Sequence, residues 1–460
     1  MTRFKSAFFI FIFSLSVYVV CGQNTADFTL VNWNLLNYSS SNNNSVARVA
    51  EFKLLIGEML PDVLVCQEII NESGALHFLD NVLNADSVTF SMAPFITSGT
   101  GLDNAVYYKT AKFTSGPTKA YPTNLRPIYR FSVVPTGFAD TIYVFSVHLK
   151  AGSTTSDRAQ RDAEVDTLRK YSNLLPPNSY FMTMGDFNLK SENDGNSYTR
   201  LLEQLPGETG NFYEFISWTG SWANASNAIL HTQSPRTTTS QANIPYGTLG
   251  GAPGGMDDRF DLVLGSAAMY NSGGVDIVPG TYEAFGNAGL HYNLALTDAP
   301  AHPTLSSQII EALHNVSDHL PVRAKFSYEI QPDALVRNPL GYSISDIQNR
   351  DRSNFPLRGT RISVSNAPVT ITQVRFEATG NYNQADVAEF KLLVSTQPNF
   401  DVAASTIIGT ISNPGTAGMK TFQNLQYAIP AGQTHYFFVT AEVNGQTTRV
   451  VGVSPLQVTY

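Results

Sequence analysis

The chain reads as an α/β protein with a mixed sheet whose strands meet at one polar edge, followed by a small all-β sandwich. Three observations carry this. Short apolar runs alternate with helical patterns as far as Phe326. Several of those runs end or begin in Asn, Asp, Glu or His, which are costly to bury unless they bind something. Beyond Phe326 the helical pattern stops, and strands between Gly, Pro and Asn turns take over.

The 460 residues leave room for more than one domain, and 43% apolar composition is ample for their cores. A net charge of -8 and the lack of any long basic run exclude a surface that grips nucleic acid by bulk charge. Residues 1–22 read as a secretory signal, with Arg3 and Lys5 ahead of an apolar stretch from Ala7 to Val20. That stretch is short of the roughly 20 residues a membrane span needs. Val20 and Gly22 point to cleavage before Gln23, and the bulky Val20 suits a lipid anchor on Cys21 poorly. The mature chain then holds only Cys66, in an apolar run, so no intrachain disulfide can form. A secreted protein results, extracellular, periplasmic or on the cell surface.

Phe28-Thr-Leu-Val-Asn-Trp33-Asn34 alternates as a strand and ends in Asn34. Ser45 caps a helical pattern that sets Val49, Phe52, Ile56 and Met59 on one side, and Pro61 ends it. Asp62 to Glu68 is a buried strand with a polar tip, and Thr141 to His148 is another. A helix is expected from about Ser156 to Leu175. Tyr180-Phe-Met-Thr-Met-Gly185-Asp186-Phe187-Asn188 follows, an apolar strand broken by Gly185 before a carboxylate and a carboxamide. In Arg259-Phe260-Asp261 and Ser317-Asp318-His319 the polar residues come first and the apolar run second. The start of an antiparallel strand lies beside the ends of its neighbours, so all these tips gather on one edge. Long Gly/Ser/Thr/Pro-rich connections, Thr232 to Gly255 and Asn271 to Asn315, are expected to form its lips.

Oxygen-rich groups at such an edge suit a hard divalent cation and phosphoryl oxygens. A histidine oriented by a carboxylate can take a proton from water, and amide or imidazole donors can hold nonbridging oxygens. Each residue also has an ordinary use: Glu68 in a salt bridge, His148 as a satisfied core histidine, Asn34 as a turn cap. Their joint placement outweighs those uses.

The series Trp33-Asn34, Gln67-Glu68, Val147-His148-Leu149, Gly185-Asp186-Phe187-Asn188, Arg259-Phe260-Asp261 and Ser317-Asp318-His319 resembles the endonuclease/exonuclease/phosphatase superfamily of deoxyribonuclease I-like proteins. The motifs occur in family order over about residues 28 to 328. The resemblance implies a four-layered αββα sandwich with its site where the two sheets open. It implies that Glu68 is the main ligand of a catalytic Mg²⁺, with Asn34 beside it and Asp318 completing the metal or histidine shell. Mn²⁺ or Ca²⁺ are alternative ions. His319 would be the general base, oriented by Asp261, with Asp258 as the rival carboxylate. Asp186 and Asn188 would position the nucleophile, and His148 would contact the phosphate. Asn104 is either a further phosphate neighbour or a turn residue.

The expected domains are a signal at 1–22, a catalytic domain at 23–328 and an all-β accessory domain at 329–460. The accessory domain holds no acid/His constellation and suits binding to a surface or polysaccharide. The expected activity is a secreted, Mg²⁺-dependent nuclease that acts on nucleic acid as a monomer. Lys150, Arg158 and Arg161 lie just past a site strand and could track the polynucleotide backbone. A phospholipase C of the sphingomyelinase type, with Trp218 and Trp222 as a bilayer wedge, is the rival, as is an inositol-phosphate phosphatase. The non-enzymatic rival is a secreted binding protein that acts through its tail.

Overall fold

A computed structural model describes residues 25–41, 43–87, 89–238, 250–270, 274–331, 333–337, 352–398, 400–444 and 449–460. The expected signal segment and the middle of the first lip loop lie outside them. The elements that matter for the site are β1 (Thr25–Tyr38), α1 (Val49–Met59), β2 (Val63–Ile69), β3 (Asp103–Lys109), β4 (Ile128–Pro135), β5 (Ile142–His148), α2 (Thr155–Ser172), β6 (Tyr180–Asp186), β7 (Asp261–Gly265), α3 (Ser307–Val316) and β8 (Val322–Glu329). These strands belong to two seven-stranded sheets. One runs β8-β1-β2-β3 at its centre, and the other runs β7-β6-β5-β4.

Alternation along each strand builds the layers. On β1, Phe28 and Leu30 face the second sheet, where they join Val65, Val106, Val144, Met182, Met184 and Val263. Val31, Trp33 and Leu35 point the other way and pack on Phe52 and Leu55 of α1 and on Ile309 and Leu313 of α3. On the far side, Phe145 and Phe181 pack against Val165 and Leu168 of α2. The order helix, sheet, sheet, helix is the four-layered sandwich that the motifs implied.

Pairing registers bring the polar tips together. β5 and β6 are parallel with His148 beside Asp186, and β7 runs antiparallel to β6 with Asp261 beside Asp186. Gly185 makes this close packing possible. A Cβ there would stand 1.9 Å from the Val147 carbonyl oxygen, and its φ is +141°.

Several local expectations are corrected. The long helix runs Thr155–Ser172 rather than to Leu175. Thr154 caps it, accepting the Asp157 N–H in a reciprocal capping box. Ser45 is not the cap of α1; its hydroxyl accepts from Ser39 N at 3.0 Å and Arg48 Nη2 at 3.3 Å. The inward face of α1 is Phe52, Leu55 and Met59, with Ile56 at its margin. The stretch from 271 to 315 is not an irregular lip throughout. It contains the short strands Val275–Ile277 and Glu283–Ala284 and the amphipathic helix α3, capped by Ser306. Asp318 and His319 precede β8 instead of starting it, separated from its first residue by Leu320 and Pro321.

After β8 the described residues are strands and connections only. A five-stranded sheet includes Arg352–Ser365, Val387–Ser395 and Thr434–Val443, and four- and two-stranded sheets accompany it. Their own apolar cluster contains Phe376, Phe390, Phe437 and Val439 and has no member before Phe355.

Candidate active site

The site is held from beneath by hydrogen bonds that cross the layers. Ser317 Oγ donates to Asn34 O at 2.6 Å and accepts the His319 N–H at 3.1 Å. Trp33 Nε1 donates to His319 O at 2.9 Å, so the histidine backbone is tied to β1. Buried Arg48 joins the end of α3 to β1 by donating to Val316 O, Leu35 O and Leu36 O. Under the site lies a buried amide and hydroxyl chain. Gln67 Nε2 donates to Asn32 Oδ1 at 2.8 Å and to Ser146 Oγ at 3.2 Å, and Asn104 Nδ2 donates to the same hydroxyl at 2.9 Å. Asn104 is therefore a strand residue between the sheets, and the turn alternative is corrected.

Glu68, at the tip of β2, has a φ of 58°, in the left-handed region that a non-glycine residue occupies only under constraint. Its Oε1 accepts from Asn34 Nδ2 at 3.0 Å and its Oε2 from Asn37 N at 3.0 Å. Asn34 Nδ2 also reaches Asp186 Oδ2 at 3.3 Å, while Asn34 Oδ1 is taken by Leu36 N. His148 Nε2 stands 3.5 Å from Asp186 Oδ2 and 3.8 Å from Glu68 Oε1. Asn188, φ 52°, donates its backbone N–H to Asp186 Oδ1 and its side-chain amide to Leu149 O. On the other flank, His319 Nδ1 lies 2.7 Å from Asp261 Oδ2, and Nε2 lies 3.7 Å from Asp186 Oδ2. Asp318 Oδ2 accepts from Ala252 N at 2.6 Å. Asp258, by contrast, pairs with Lys190 at 2.8 Å, which leaves Asp261 as the carboxylate on His319.

Burial and mutual charge set the electrostatics. Burial pushes the Glu68 carboxyl up, the Asp318 charge adds to this, and the Asn34 and Asn37 donors and His319 oppose it. Burial likewise pushes Asp186 up to about 7, against the pull of His319 and with the help of Asp261 and Glu68. For His319 burial disfavours the cation, yet the Asp261, Asp186 and Asp318 carboxylates outweigh it and hold the ring well above the usual imidazole value. His148 goes the opposite way, kept neutral by burial and by the nearby Arg126 and His319 charges.

Such a concentration of buried carboxylates calls for a cation. Glu68, His148 and Asp186 each offer one ligand atom, all within 4.8 Å of one another. Asp318 Oδ1 is buried without a partner among the described residues. These donors, mostly hard oxygens, fit a divalent metal. Of the expected ligand set, Glu68 and Asn34 are in direct contact and Asp318 acts on Glu68 through charge.

Two neighbours carry no readable signal in the sequence. Arg126 donates to His148 O at 2.7 Å and Leu149 O at 2.6 Å, and its charge acts on Asp186 and Glu68. Gln233 places its amide 2.6 Å from His319 Nε2. Two expected substrate contacts are instead structural. Arg161 is fully buried and bonds Asp194, Lys150 O and Gly152 O, and Arg158 also pairs with Asp194. Asp194 holds both, so neither is free to track a phosphate backbone. The Arg259 guanidinium lies 4.9 and 5.3 Å from the ring centres of Trp218 and Trp222, which pack edge-on against each other, so they form packing rather than a wedge.

Residues 31–319 match the model of the endonuclease/exonuclease/phosphatase family. A search of curated proteins finds no significant match. Among solved structures, truncated TDP2 of Caenorhabditis elegans is 15% identical over 65% of this chain and 97% of its own, with a TM-score of 0.40. The catalytic domain of human Nocturnin with bound sulfate is 14% identical over 66% of this chain and 97% of its own, at 0.38. An endonuclease/exonuclease/phosphatase protein of Beutenbergia cavernae DSM 12333 is 12% identical and covers 94% of this chain and 100% of its own, at 0.35. The match over most of the two-sheet unit, with every motif at its open edge, places the chain in the endonuclease/exonuclease/phosphatase family.

Proposed function

We propose that this protein is a secreted, Mg²⁺-dependent phosphodiesterase that hydrolyses nucleic acid. The observation that carries the hydrolytic reading is the His319–Asp261 pair, 2.7 Å apart and buried, standing beside the Glu68, His148 and Asp186 group. Asp261 accepts from Nδ1–H and so leaves the Nε2 lone pair to take a proton from water. The resulting hydroxide oxygen bonds phosphorus, the bond from phosphorus to the leaving oxygen breaks, and that oxygen takes its proton from solvent water to leave as the alcohol. His148, held neutral, donates a hydrogen bond to a phosphoryl oxygen rather than a proton to the leaving group. Asn34 holds Glu68 and Asp186 in place, and the Asn188 side chain is anchored on Leu149 O. Glu68 and Asp186, with Asp318 nearby, would hold Mg²⁺, which would supply charge neutralisation during attack on the phosphodiester.

A second reading is favoured by one surface feature. Ile229, Leu290, Tyr292 and Leu294 are 57%, 44%, 36% and 40% exposed. The loops bearing them meet at Gly289 and Ile229, and Tyr292 pairs with Met256, close to the Gln233–Asp258 contact at the site. Such a rim suits an amphipathic phosphodiester at a lipid surface. Hydrolysis of bis-p-nitrophenyl phosphate with and without EDTA tests the chemistry. Plasmid DNA, RNA and sphingomyelin liposomes, assayed in parallel, then separate the substrates. Cleavage of liposomes alone would replace the nuclease with a phospholipase C.

A further inference from the structure

The lone pair that His319 must offer to water is occupied. Gln233 Nε2 lies 2.6 Å from His319 Nε2 and 3.4 Å from Asp318 Oδ2, so the amide stands where a water would have to stand. An amide can meet the ring with either end: its N–H serves the neutral ring, and its carbonyl serves the imidazolium. The contact therefore survives a change of protonation. The backbone cannot carry this side chain away. Gln233 N donates to Asp258 O at 3.0 Å, Gln233 O accepts from Asp257 N and Asp258 N at 3.0 Å, and Thr232 O accepts from Leu320 N at 2.7 Å. Gln233 can leave the spot only through its own side-chain torsions, which keep its head within reach of the space it vacates.

We propose that Gln233 is a positioning residue for the attacking water. In the resting protein its amide keeps the water's place. When substrate admits the water, the amide turns aside and holds the water oxygen against His319 Nε2. The proton passes from that water to Nε2, and Gln233 gains and loses no atoms. The assignment rests on His319 as the base.

The experiment is a double-mutant cycle on bis-p-nitrophenyl phosphate, using Gln233→Ala, His319→Ala and the pair, with Gln233→Met as a variant that keeps volume without an amide. Loss of one neutral hydrogen bond in the transition state lowers kcat by about tenfold, with KM within about twofold. Because Gln233 acts through His319, its removal costs nothing more in the His319→Ala background. Melting temperatures check that each variant folds, and either Gln233 variant suffices. Wild-type kcat in both, a change confined to KM, or the same loss repeated without His319 would overturn the assignment. Full activity of His319→Ala would instead overturn the base itself.

Discussion

Asp261→Asn is the most direct perturbation of the proposed base. The pair is buried on both sides, His319 at 2% exposure and Asp261 at 0%, with Nδ1 and Oδ2 2.7 Å apart. Burial alone would lower the ring's pKa; Asp261 leads the carboxylates that raise it. A base must be neutral to work, so the rate falls as pH drops through that pKa. The acidic limb of the wild-type profile therefore lies above the free-histidine value near 6.5. Replacing the carboxylate by a carboxamide of the same shape removes the leading favourable charge and moves the limb to lower pH. The rate at the plateau falls as well, since the ring loses the acceptor that fixed its tautomer. Stability follows the same sign. A raised histidine pKa contributes stability that is complete below the unfolded value near 6.5 and fades as pH rises through the folded one. Asp261→Asn should thus destabilise most at low pH, by about 3–5 kcal/mol for a buried pair broken on one side. Profiles of kcat/KM at saturating Mg²⁺, and melting temperature against pH, read the two effects. An acidic limb left in place by the substitution would refute the pairing.

Glu68→Gln should weaken Mg²⁺ activation and lower kcat/KM by roughly a hundredfold or more, because a charged ligand is lost. Activity within twofold of wild type at saturating Mg²⁺ would count against Glu68, and circular dichroism should show little change in fold. Gly185→Ala should destabilise by roughly 3 kcal/mol or more, since its Cβ would meet the Val147 carbonyl at 1.9 Å. An unchanged melting temperature would refute that close approach. A chain of residues 23–331 should fold and cleave small phosphodiesters alone, because the tail has its own core and Gln331 N still bonds Gly137 O at 2.7 Å. A folded but inactive piece would show that the tail serves the chemistry.

What was legible in the sequence was the part with a period and a tip. Apolar runs such as Val63 to Cys66 and Phe181 to Met184 declare strands, and Glu68 and Asp186, each two residues past its run, declare the polar edge. The antiparallel order of β6 and β7 follows from which end carries the acid, and it sets Asp261 opposite Asp186. Helix α3 was not legible: Ser306 followed by Ile309, Ile310, Leu313 and Val316 carries a helical pattern, but the Pro- and Gly-rich approach hides it inside an apparent connection. Gln233 was not either. It lies in an irregular loop, and only the cross-loop hydrogen bonds to Asp258 and Leu320 bring it to the base. Distance in space, rather than pattern along the chain, defines its role.

The arginines make the same point about substrate. Arg158 and Arg161 follow a site strand, as cations that grip a phosphate backbone would, yet Asp194 claims both, at 2.5 and 2.7 Å. Arg126, with no motif around it, is the guanidinium whose charge reaches Asp186 and Glu68. A cation's place in the chain decides only which element carries it. Whether it meets substrate depends on whether a carboxylate has already claimed it, and a buried guanidinium is nearly always claimed because its desolvation is otherwise uncompensated. Among the described residues the lips expose the apolar Ile229, Leu290, Tyr292 and Leu294, while the nearby Lys190 is already shared with Asp258. A polynucleotide bound at such a mouth must be held chiefly at the scissile phosphate, with its bases against the apolar lip. Its affinity should then depend less steeply on salt than that of a protein that tracks the backbone with many free cations.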